Sequence, residues 1–484
     1  MTKAWTRIGA LAALVLLFAA PLSAAQAPTA PLAAANNAFD RYIARKDPNY
    51  GWSLNSTIHG AGYTGYVLKM TSQAWRSASE VDHPIWTHWV IITVPDHVVT
   101  TKTAFLYIDG GSITDPAPTK VSDRNIKIAT DTNTIAVELR GVPNEPLKFS
   151  DNPTRARSED DLIAYAMTRQ IATGDEDWMV RFAMTKAGVA AMDATQEFMK
   201  SEAGGHRKVD KFVVSGGSKR GWTAWMVALM DKRVSGVIPI VIDMLNNEAM
   251  VRHHYQVLGF FSPALGDYVN HNIFPHLIGT PELRKVQAIE DPYSYRNRAR
   301  MRDVPKYILN AAGDQYFLPD NSQFYYKDLP GSKAMRYVPN AKHDMAGTDV
   351  GDSMVAYYQM ILAGKHAPRY SWVKSADGTL TVRPRDKPVA ANLWQATNPN
   401  ARDFRVDIIG KAYTSSPMAP QPDGSYVAQI SKPATGYTAF FVELVYDIGA
   451  KYPLKVTSEV SVVPDVEAFH FENAAAQYPV KTPR

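Results

Sequence analysis

The chain contains no cysteine. That one absence excludes disulfides, a thiolate metal cluster and a cysteine nucleophile. Charge asymmetry is also nearly missing: 52 Lys and Arg stand against 47 Asp and Glu, a formal net charge of +5 on 484 residues. So small an excess, with no dense basic stripe, supplies no field for nucleic acid. Beyond the N-terminal segment, no apolar run approaches the roughly 18 residues of a membrane-spanning helix. His-Glu-x-x-His is absent, as is strict P-loop spacing, so no metal ion or nucleotide cofactor is expected. What remains is ordinary globular composition, 45% hydrophobic and 20% charged. It rules out a disordered or collagen-like chain.

The N-terminus carries Lys3 and Arg7, then an apolar run from Ile8 to Ala20, then Pro21-Leu22-Ser23-Ala24-Ala25. This is the order of a secretory signal peptide. We expect a signal over residues 1–25, cleavage after Ala25, and an exported protein, periplasmic or secreted. After cleavage no integral membrane span is expected.

Strand-like runs follow at 65–71, 87–94, 104–108 and 134–139 with no helix among the first three, which points to an antiparallel start. Helical periodicity marks 162–171 and 187–198. Apolar runs at 211–215, 237–242, 306–310 and 334–338 then alternate with helices expected at 221–230, near 320–328 and at 351–363. Continuous apolar strands joined by helices predict an α/β, doubly wound, mainly parallel sheet. We assign this domain to residues 37–365, with a cap-like insertion at about 244–300. His253, His254, Tyr255, Phe260, Phe261, His271 and His276 are expected to line that cap. From 366 to 484 helical periodicity disappears. Short β-type runs at 380–382, 404–409, 426–430, 438–446 and 454–463 predict a small all-β, sandwich-like domain.

The sharpest local signal is Ser215-Gly216-Gly217-Ser218-Lys219-Arg220-Gly221. A buried strand ends, glycines allow a tight turn, and a helix begins at once. Such a turn lifts the Ser218 hydroxyl above the sheet edge and aims the Lys219 N–H at a developing oxyanion. The pattern departs from Gly-x-Ser-x-Gly, because Arg220 occupies the second glycine position and Gly221 comes one place later. A helix-cap serine remains the plain alternative.

A serine nucleophile needs a base, and the base needs an orienting carboxylate. In α/β-hydrolases the chain order is Ser, then Asp or Glu, then His. Asp314 follows the strand at 306–310, and His343 lies in the loop after the strand at 334–338. Asp243, directly after the strand at 237–242, and Asp320 are rival acids. Gly110 and Gly111 end the strand at 104–108 and are assigned as further oxyanion donors. Lys219 and Arg220 could hold an anionic group or pair with carboxylates such as Asp243.

Several stretches together resemble the PhoPQ-activated pathogenicity-related family. They include Arg157-Ser158-Glu159-Asp160, Gly217-Ser218-Lys219-Arg220-Gly221-Trp222-Thr223, Ile242-Asp243-Met244-Leu245-Asn246 and Pro339-Asn340-Ala341-Lys342-His343. The resemblance implies an α/β-hydrolase domain followed by a β-rich domain, export from a Gram-negative-type cell, and a link to envelope stress and cationic-peptide resistance. It does not define the substrate, small molecule or peptide. The serine turn is also locally similar to the Gly-Cys-Ser-Arg-x-Gly turn of glucuronoyl esterases. Three functions follow as expectations: an exported serine hydrolase, a hydrolase-fold protein that works by binding, and a carbohydrate esterase with Trp372 and Trp394 as a glycan platform.

Overall fold

The computed structural model describes residues 30–481. The expected signal segment lies outside the described residues. The central sheet contains β1 (Gly51–Gly60), β2 (Tyr63–Ala74), β3 (Ile85–Pro95), β4 (Thr103–Ile108), β5 (Ala136–Arg140), β6 (Lys211–Gly217), β7 (Val234–Ile240), β8 (Lys306–Ala311) and β9 (Lys333–Val338). Their spatial order is β1-β2-β3-β5-β4-β6-β7-β8-β9. The first three strands and β5 pair antiparallel, and from β5 onward every pairing is parallel. Phe105 and Leu106, adjacent on β4, are both fully buried. Successive side chains of a strand face opposite ways, so both faces of the sheet are covered. The covering helices are α1 (Asp123–Thr132), α2 (Glu159–Thr173), α3 (Val180–Lys200), α4 (Lys219–Met230) and α5 (Val350–Leu362). This is an α/β-hydrolase fold, with a serine turn between β6 and α4. Among the described residues no helix is long and apolar enough to cross a membrane.

Beyond α5 come two antiparallel sheets, one of three strands and one of five. They share the core of the main sheet. The seam is hydrogen-bonded: Tyr337 N donates to Thr457 Oγ1 at 3.0 Å and Arg402 Nη2 to Asp320 Oδ2 at 2.6 Å. The C-terminal tail then returns to the insertion, where Phe469 N donates to Gln256 O at 3.0 Å and Tyr478 OH receives Phe261 N at 2.9 Å.

Several elements differ from expectation. β1 and α1 were not expected, and the run 104–108, expected in the antiparallel start, pairs parallel with both neighbours because α1 returns the chain to its side. The apolar run 237–242 is strand only to Ile240, because Val241 turns out of the sheet with φ 45°. Its hydrophobicity reports burial in the site loop, not strand. The helix expected near 320–328 is two short 3-10 turns, Asn321–Phe324 and Tyr326–Asp328. Tyr325 breaks them apart to carry its hydroxyl to Asp243. The run 404–409 is not a strand but one helical turn, Val406–Ile409, pinned by Val406 N donating to Gly313 O at 3.0 Å. The run 454–463 divides into Leu454–Thr457 and Ser461–Val463, since Ser458 Oγ takes the Val442 N–H and interrupts the ladder.

The histidines expected to line the insertion are held in structural bonds. His253 sits between Asp320 (3.1 Å) and Glu467 (2.6 Å), and His254 Nε2 accepts from Ser262 N. His271 contacts Asp161, and His276 meets Tyr478 O. Trp372 is buried, its ring 5.1 Å from that of Tyr326, and Trp394 directs its N–H to Glu443. Trp372 therefore offers no open platform, while Trp394 is half-buried.

Candidate active site

β6 ends at Gly217 and α4 begins at Lys219, leaving Ser218 in the turn with φ 56° and ψ −126°. A non-glycine residue held there stores about 1–3 kcal/mol of strain. Two glycines make the turn possible. A Cβ on Gly216 would come within 2.5 Å of Arg220 O, and one on Gly221 within 2.9 Å of the carbonyls of Gly216 and Ile240. The close approach of helix to strand therefore falls at 221, which explains the glycine displaced by one place. Gly217 has more room, its nearest neighbour being Tyr107 OH at 3.5 Å.

His343 Nδ1 lies 2.8 Å from Asp314 Oδ2 and 3.0 Å from Oδ1. Asp314 is buried, and its Oδ1 also accepts the N–H of Tyr316 at 2.7 Å. The Tyr316 ring lies 4.3 Å from the imidazole and backs it. A carboxylate on Nδ1 fixes the proton there and leaves Nε2 as an acceptor. Nε2 is buried and makes no hydrogen bond among the described residues. Ser218 and His343 both line one cavity of about 390 Å³.

Asp243 is held elsewhere. The hydroxyls of Tyr325 and Tyr337 donate to its two oxygens, each at 2.6 Å. Burial pushes its carboxyl up to about 7. Asp320, also buried, faces His253 and Arg402, which hold it well below the usual carboxylate range against the opposing effect of burial. Of the three candidate acids, only Asp314 reaches the imidazole.

Lys219 and Arg220 point their charges away from Asp243. Lys219 Nζ pairs with Glu159 at 2.5 Å, and Arg220 grips Glu159 with both terminal nitrogens at 2.9 and 2.8 Å. Arg220 also reaches Glu145 at 3.3 Å and caps Val142 O. Burial and the facing Glu159 push the Glu145 carboxyl above the usual carboxylate range. This anchor was not foreseen; only Glu159, inside the quoted Arg-Ser-Glu-Asp stretch, offered a signal. The same guanidinium lies against Gly110, where a Cβ would be 2.8 Å from Arg220 Nη2. The Gly110 N–H donates to Asp109 Oδ1 at 2.9 Å. Gly111, with φ 139°, packs beside Asp115 and Gly141. Neither glycine lines the cavity that Ser218 and His343 share. The Lys219 N–H, in the first turn of α4, has no carbonyl partner within the helix.

Left-handed φ values recur around the site: Ser218 at 56°, Val241 at 45°, Glu159 at 55° and Met345 at 56°. Val241 and Met345 line the cavity with Ser218, and Glu159 anchors the turn. Such strain persists only where surrounding packing enforces it, and it gathers at functional sites.

Residues 39–405 match the family described as PhoPQ-activated pathogenicity-related protein. The autocrine proliferation repressor protein A of Dictyostelium discoideum is 36% identical over 459 residues, covering 89% of this chain and 91% of that protein. Among solved structures, acetyl xylan esterase 1 from Thermoanaerobacterium sp. JW/SL YS485 is 15% identical over 69% of this chain and 95% of its own, with a TM-score of 0.43. A glucuronoyl esterase from Solibacter usitatus is 12% identical over 66% and 91%, with a TM-score of 0.39.

Proposed function

The chain belongs to the PhoPQ-activated pathogenicity-related protein family, and from that membership and the site geometry we propose that it is a serine hydrolase acting on an ester or amide. One observation carries the reading: His343 is bonded through Nδ1 to Asp314, with Nε2 unengaged, beside the cavity that it shares with Ser218. Ser218 Oγ attacks the acyl carbon while its proton passes to His343 Nε2. The C–O or C–N bond then breaks, and the leaving group takes that proton. Water repeats the sequence: His343 accepts its proton, hydroxide adds to the acyl carbon, and Ser218 leaves with the proton returned. Asp314 holds the imidazole tautomer. The Lys219 N–H, free of a carbonyl partner in the first turn of α4, faces the oxyanion. A fluorophosphonate probe on the purified protein tests this. Wild type is expected to be labelled and Ser218→Ala not; equal labelling, or none in either, overturns the reading.

Export is part of the same proposal, as is a role in envelope stress or cationic-peptide resistance. N-terminal sequencing of the mature protein is expected to begin at Gln26.

A second reading has its own support. The Dictyostelium relative is named for repressing proliferation, an effect that specifies no chemistry. On this reading the hydrolase fold acts by binding a partner, and Ser218→Ala retains the full biological effect.

A further inference from the structure

The cavity that touches Ser218 and His343 runs between α1 and α5. Ile128 contributes from α1, Val350 and Met354 from α5, and Val241 and Met345 from the two loops beside the serine and histidine. Two cations also reach this wall, and both are already neutralised. Arg124 sits over the Tyr107 ring, its guanidinium carbon 3.4 Å from the centroid, and pairs with Asp109 and with Glu138 at 3.1 Å. Lys127 pairs with Asp352 at 2.8 Å and Asp131 at 3.1 Å. What remains is a mainly thioether and aliphatic surface, with the one further charge on the lining, the Asp344 carboxylate, exposed to solvent beside His343 and accepting the Ala346 N–H. Burying apolar groups there is favourable, and placing a carboxylate or ammonium there is costly.

Size narrows the occupant. The cavity measures about 390 Å³, while a methylene fills about the volume of one water, ~30 Å³. An acetyl group would leave most of it empty, and an acyl chain of up to eight carbons, roughly 240 Å³ at that volume, fits inside it. Methionine adapts to chains of differing shape.

We infer that this cavity is the acyl pocket, and that the protein prefers esters of uncharged aliphatic acids of about four to eight carbons over acetyl esters. The inference rests on the serine-hydrolase reading and adds the substrate class to it. The acyl carbon bonds to Ser218 Oγ, and the chain runs from there between Ile128 and Met354.

Each methylene buried is worth about a fourfold gain in kcat/KM. With p-nitrophenyl acetate, butyrate, hexanoate and octanoate, the hexanoate-to-acetate ratio is expected on the order of 100-fold. Met354→Trp fills the cavity and is expected to lower that ratio at least about tenfold. Val350→Phe, at a partly buried position, gives the same readout should Met354→Trp fail to fold. A wild type that favours acetate, or filled variants with an unchanged ratio, overturns the acyl pocket. Fluorophosphonate labelling separates the two readings: a labelled Ser218 with no chain-length preference sinks the pocket alone, and an unlabelled Ser218 sinks both.

Discussion

Two loops leave the same edge of the sheet one strand apart, and each carries a buried aspartate. After β7, Asp243 faces two tyrosine hydroxyls, and burial raises its carboxyl to about 7. After β8, Asp314 faces backbone N–H groups and the Nδ1 of His343. Depth is almost identical, 2% and 3% exposure. Chemistry differs because of partners alone. A carboxylate bonded to an imidazole can stabilise imidazolium during proton transfer. A carboxyl clamped by two neutral donors on a hydrophobic floor ties loops together instead, joining the 3-10 turns and β9 to the end of β7.

The largest expected effect would break this comparison outright. Asp314→Asn is expected to lower kcat about 10³–10⁴-fold by loss of the tautomer, with circular dichroism unchanged. Asp243→Asn is expected to lower kcat less than about tenfold. Reversed magnitudes would exchange the roles of the two loops.

Next in size is Asp320, the third acid of this edge. Its pair with Arg402 joins the hydrolase domain to the C-terminal sheets. Arg402→Ala leaves a buried carboxylate beside His253 alone and is expected to cost about 3–5 kcal/mol in urea unfolding. The specific activity of the folded fraction is expected to stay near wild type, which would mark Asp320 as structural.

The smallest effect concerns pH. Asp243 has its carboxyl raised on folding, so the folded state holds a proton that the unfolded state releases near the ordinary carboxylate range. Its contribution is fully present below about pH 4 and is lost as pH rises toward about 7. Asp243→Asn, which stays neutral, is expected to lose less stability than wild type between pH 5 and 8. The difference is on the order of 1–3 kcal/mol, read from paired urea titrations. Parallel pH profiles for the two proteins would show that Asp243 carries no such linkage.

Legibility varied with the range of the interaction involved. The serine turn could be read from sequence because its causes lie within a few residues: Gly216 and Gly221 stand where helix and strand nearly touch. The parallel strands were legible as apolar runs, although hydrophobicity alone extended β7 into Val241 and Ile242. The helix expected near 320–328 failed because Tyr325 answers to Asp243, far away in sequence. The histidines of the insertion were expected to line a cap, yet Glu467 and Tyr478 arrive from the C-terminal tail to bind two of them. A carboxylate partner for Arg220 was expected, with Asp243 as the example, but the actual partners, Glu159 and Glu145, lie 61 and 75 residues away.

Local chain chemistry was thus enough to set the α/β alternation, the glycine-framed serine and the order in which serine, acids and histidine reach the sheet edge. Folding in three dimensions chose which carboxylate meets the imidazole, paired Arg124 and Lys127 of the cavity wall with carboxylates and left a mainly apolar hollow between α1 and α5. Turn geometry and strand hydrophobicity depend on neighbours along the chain, whereas hydrogen-bond partners and cavity walls depend on which distant side chains burial brings within a few ångströms.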